Sequence, residues 1–147
     1  MVDSGSSAEV AERLGRRRAR LFPVLGIFLL IQQSAYFGHG GGERIVDHVR
    51  VGAWVVMSAV VLFVLTTGGF WFRGSELRAM LNDESTRANR AAALELGFVL
   101  AMATGIVLYV AQGAWQLTVG ESIHLIVTAG LFAALLRFSS LERRGLG

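Results

Sequence analysis

Apolar residues gather in four blocks along the chain, residues 21–37, 51–72, 91–111 and a shorter fourth from 122 to about 136, and nearly all charge lies between them. A hydrocarbon core about 30 Å thick takes about 20 apolar residues per helix, close to the length of the first three blocks. An amphipathic helix on a soluble core would instead bring a polar face round every turn. The pattern predicts an all-α fold, a bundle of four transmembrane helices running up-down-up-down with short connections. Residues 1–20 form a basic N-terminal segment, 21–141 the membrane domain and 142–147 a tail. The second helix has room for a lead-in from Glu43. The fourth reaches full span length if Arg137 snorkels and the helix continues to Leu141.

Charge fixes the expected orientation. All fourteen basic residues are arginine, as a GC-rich bacterial genome favours. Five precede the first block, four lie in the loop between the second and third, and three flank or follow the fourth block's end. Only Arg44 and Arg50 fall on the other side, so the positive-inside rule places both ends in the cytoplasm of a bacterial inner membrane. A leader cleaved after Ala35 would lack the small outer residue that cleavage needs and would leave three spans, breaking this symmetry. The arginines beside apolar spans point to anionic lipid rather than nucleic acid. With no cysteine, thiol nucleophiles, thiolate metal sites and disulfides are excluded. Tyr36, Trp54 and Trp115 sit near the expected outer boundary and Trp71 near the inner one, as aromatic belts do.

Local signals place the helix starts and faces. Pro23 suits the first turn of the first span, preceded by a short basic helix that Ser6 and Glu9 would cap. Thr118 and Glu121 form a capping box for the fourth helix. The run from Gly38 to Gly42 around His39 reads as a hinge. In the third helix Ala93, Gly97, Ala101 and Gly105 repeat at four-residue spacing, with Gly130 and Ala134 a shorter version in the fourth. Small residues one turn apart let helices approach closely and gain contacts that lipid cannot match.

Few residues offer chemistry. Glu95 lies about one turn inside the third span, where an unpaired carboxylate is costly, and Arg137 at similar depth is its natural buried partner. Glu95 could also serve ion-coupled transport. His48 and His124 are at comparable depth on two helices, a placement that would allow haem or, with acids nearby, a divalent metal; simple interfacial histidines are the plainer reading. Gln32, Gln33 and Ser34 suit hydrogen bonds between helices or to interfacial water. Asp83, Glu84, Arg87, Asn89 and Arg90, before the third span, form a capped, charged helix start that could dock a cytoplasmic partner. No phosphate loop, catalytic triad or carboxylate pair can be assembled from this sequence.

The stretch from Leu81 through Asn82-Asp83-Glu84-Ser85-Thr86-Arg87 to Arg90, with Leu135-Leu136-Arg137-Phe138 and Leu141-Glu142-Arg143-Arg144, resembles small four-helix membrane proteins of bacteria. In these an Asp-Glu-x-x-Arg loop precedes the third span, and some are encoded beside a helix-turn-helix regulator. The resemblance covers the second half of the chain and implies a regulatory partner. The sequence thus leads to a non-enzymatic multi-pass protein acting as regulator, sensor or accessory subunit through itself, a membrane complex or a cytoplasmic regulator.

Overall fold

A computed structural model describes residues 4–37, 45–67, 84–145. The described residues form four helices: α1 (Ser4–Phe37), α2 (Ile45–Thr67), α3 (Glu84–Ala111) and α4 (Val119–Gly145). Each is long and apolar enough to cross a membrane. Helix is what hydrocarbon demands, because it satisfies every interior backbone N–H and C=O within the segment. The inner end of the second block, with Trp71 and Phe72, lies outside the described residues, as do the glycine run, His39, Glu43 and Asp83.

One feature differs from the expected layout. Pro23 lies inside one continuous helix, so the basic segment and the first span are a single rod. Proline removes one backbone hydrogen bond, which a long helix can absorb when its neighbours hold it. Helix α4 runs unbroken past Arg137 and through Leu141, the continuation expected of it, to Gly145.

Helix α4 is the hub. It packs most extensively on α3 and α1, and it also touches α2, which is the least attached of the four. Between α3 and α4 the backbones come very close. A Cβ added at Gly97 would lie 2.7 Å from the Gly130 carbonyl oxygen and 2.9 Å from the Ala134 Cβ. One added at Gly130 would lie 2.9 Å from the Ala101 Cβ. Ala93 is fully buried, and Gly105 sits opposite Ile126 with ordinary clearance. Glycine is required where its missing side chain is the space itself.

The two ends of the bundle are built differently. Around Phe22, Leu29, Val61, Leu65, Ala93, Leu135 and Phe138 the interior is apolar, with Phe22 and Phe138 edge to face at 4.9 Å. At the same end Asn89 donates a long 3.5 Å hydrogen bond to the buried Glu142 carboxylate, bracing α3 against α4. Toward the other end, where Ala111 and Val119 are joined by a short turn, the interior becomes polar and aromatic.

Candidate functional site

Three helices each contribute a pair of residues to this polar interior, and each pair shares one helical face. They are Gln33 and Tyr36 of α1, Trp54 and Ser58 of α2, and His124 and Thr128 of α4. Spacings of three or four residues bring side chains onto the same side of a helix. All but Tyr36 are buried, with His124 only 5% exposed.

The imidazole of His124 is held between two rings. Tyr36 stacks on one face at 3.9 Å between centroids and 12° between planes, and Trp54 stacks at 3.8 Å and 25°. Below this stack runs a directional hydrogen-bond chain. The Trp54 indole Nε1–H donates to the Thr128 hydroxyl at 3.2 Å, and that hydroxyl donates to Gln33 Oε1 at 2.8 Å. An indole can only donate, so Thr128 accepts from it and passes its own proton onward. One residue from each of α1, α2 and α4 is thereby tied together.

The chain leaves several polar atoms without partners. Gln33 Nε2, Gln32 Oε1, Ser58 Oγ and His124 Nδ1 are buried and make no hydrogen bond. Native interiors pair nearly all such atoms, and leaving one unpaired costs about 1–3 kcal/mol. Four in one region of a small bundle mark it as a part of the interior that is not optimised for stability.

A second feature adjoins it. Between α1 and α2 an apolar groove of about 580 Å³ is lined by Leu25, Gln32, Gly52, Val56, Val60 and Val64 among others. At the turn before α4, Glu121 Oε2 accepts from the Thr118 backbone N–H at 2.7 Å, while the Thr118 hydroxyl accepts from the Glu121 N–H at 3.2 Å. This reciprocal capping box fixes where α4 starts, and so the depth of His124.

The sequence-derived candidates are distributed unevenly. His48 is exposed on α2, whereas His124 is buried between two rings. Among the described residues no three metal-ligating side chains cluster. Glu95 and Arg137 are both exposed and form no ion pair with each other, which corrects the buried tie expected between them. The reason is geometric: Glu95 is two residues from both Ala93 and Gly97, about 200° around α3 from the face that is buried. Of the charged cluster before the third span, Glu84 and Arg87 are exposed. Asn89 and Arg90 are partly buried, and Asn89 is engaged with Glu142.

Trp54 was expected in an interfacial belt and is instead interior; Trp115 is exposed near the turn, as a belt residue would be. The hydrogen bond from Thr128 to Gln33 is the kind of interhelical contact its amide suggested. Ser34 bonds to the Ile31 carbonyl of its own helix. Comparison with protein-family models, curated proteins and solved structures finds no match to this chain.

Proposed function

We propose that this chain is a non-enzymatic, four-span protein of the bacterial cytoplasmic membrane that acts as a regulator or sensor, or as an accessory subunit of a membrane complex. Its helices run up-down-up-down with both termini in the cytoplasm. The excess of arginines at one end supports that orientation. The order of contacts supports an antiparallel run of α1 and α4: Phe22 meets Phe138 at one end of α1 and Tyr36 meets His124 at the other.

The observation that carries the reading is α4 itself. One uninterrupted helix holds His124 and Thr128 in the polar cluster and Glu142, Arg143 and Arg144 at the opposite end. A rigid rod between an under-satisfied interior and a charged end can convey a change at the first to a partner at the second. The partner surface consists of the exposed Glu84, Arg87, Arg143 and Arg144, with Asp83 beside them in sequence. Asn89 and Arg90 would support this surface from behind. The resemblance to small bacterial membrane proteins, some encoded beside a helix-turn-helix regulator, favours a soluble cytoplasmic partner.

Purification of the tagged chain from its native membranes tests this. A stoichiometric soluble DNA-binding protein, lost when Arg87 and Arg143 are both changed to glutamate, supports the regulator; a large integral complex supports the accessory subunit. Recovery of the chain without any stoichiometric partner rejects both. Reporter fusions at Gly147 and Gln116 check the orientation, with cytoplasmic activity expected only at Gly147.

A further inference from the structure

The charges that the bundle leaves uncovered are the observation to explain. Glu95 and Arg137 are exposed, and neither is bonded to any described residue. Neither can be satisfied locally. Positions three and four residues away from Glu95 are Ala91, Ala92, Phe98 and Val99, and those around Arg137 are Ala133, Ala134, Ser140 and Leu141. A helix neighbour of opposite charge is absent in both cases.

Their depths match. Asn89 and Glu142, joined by a hydrogen bond, give a common level on α3 and α4. Glu95 lies six residues farther into the bundle from Asn89, about 9 Å; Arg137 lies five from Glu142, about 7.5 Å. Both helices reach beyond these charges into apolar sequence, so in a bilayer both groups stand at the edge of hydrocarbon on the lipid-facing surface of the bundle. A charge there pairs, faces water or is drawn toward the interface at a cost. The α3 surface around Glu95 offers exposed Leu96, Phe98, Val99 and Met102 for close packing.

We propose that copies of this chain associate within the membrane through an ion pair between Glu95 of one copy and Arg137 of another. Equal depth lets the two groups meet without tilting either copy. Reciprocal pairing of the two groups gives a two-fold dimer with two such pairs, and head-to-tail pairing gives a closed ring. Charge complementarity selects a second copy as the occupant of this surface. The inference depends on the membrane reading, and not on the regulator reading.

Two differently tagged full-length copies, co-expressed and extracted together, provide the test. The parent chains should co-purify. Glu95→Arg alone and Arg137→Glu alone should each reduce co-purification at least tenfold by placing like charges opposite each other. Co-expressing one variant with the other restores attraction at every contact and should restore association. A monomeric parent, single variants that associate as the parent does, or failure of the mixture to recover would overturn the proposal. Since the chain has no cysteine, a milder arrangement guards against misfolding: copies with Glu95→Cys mixed with copies with Arg137→Cys should cross-link on oxidation. No mixed disulfide between otherwise intact bundles would also overturn it. Recovery of the parent in the soluble fraction would reject the membrane reading as well; a membrane-bound monomer rejects the pairing alone.

Discussion

Trp54 and His124 lie nearly parallel with their ring centroids 3.8 Å apart, although 70 residues of chain separate them. The contact joins the least attached helix to the hub of the bundle. Together with the Trp54–Thr128 hydrogen bond, it supplies specificity where packing is sparse. Stacked aromatic contacts add about 0.5–1.5 kcal/mol each beyond the area they cover.

Removing the imidazole should therefore be felt twice, once on each face. His124→Ala is expected to lose about 1–3 kcal/mol of stability, read as a lower thermal midpoint in detergent. His124→Phe keeps both stacks and removes the buried orphan nitrogen, so it should retain the parent midpoint. Equal losses in both variants would show that the ring stack is not what matters.

Thr128→Val keeps the shape at that position while deleting the acceptor for the indole and the donor to Gln33. Stranding those groups should cost about 1–3 kcal/mol. Combined with Trp54→Phe, which removes the indole N–H, the loss should be smaller than the sum of the two single changes. Additive losses in a thermal melt would argue against the hydrogen-bond chain.

Much of the frame was legible in the residues. The four apolar blocks became four helices because hydrocarbon leaves no other local solution for so many apolar positions. Gly97, Gly130 and Ala134 were recognisable because close approach has a composition signature. What escaped was direction around the helix axis in stretches that are apolar all round. Trp54 and His124 near a span end look alike whether they face lipid headgroups or one another, and only the neighbour decides. The Glu95–Arg137 expectation rested on depth and carried no azimuth. The unpaired atoms of Gln33 and Ser58 depend on three helices at once, which no single periodicity encodes.

Glycine positions should respond very differently to the same added methyl. Gly97→Ala forces α3 and α4 apart at a backbone contact and should cost about 1–3 kcal/mol, as overpacking does. Gly52→Ala meets nothing within 4 Å, and Gly105→Ala meets only ordinary contact. Both should melt with the parent. Loss of stability at Gly52 equal to that at Gly97 would contradict the packing described.

Phe138, 1% exposed against Phe22, anchors the apolar end. Phe138→Ala opens a cavity, but in hydrocarbon surroundings the loss comes from packing rather than transfer from water. A cost of about 2 kcal/mol is expected, below the 3–5 kcal/mol typical for Phe→Ala in a soluble core. Unfolding in mild detergent measures it.

The hub position of α4 has a consequence for biogenesis. Of these four helices it is the last to leave the ribosome, yet it is the one on which the other three rest. The first three can enter lipid individually but have little to hold on to until it arrives. Assembly is therefore a single late event, and a chain halted before residue 119 would leave helices adrift in the bilayer for quality-control proteases to find.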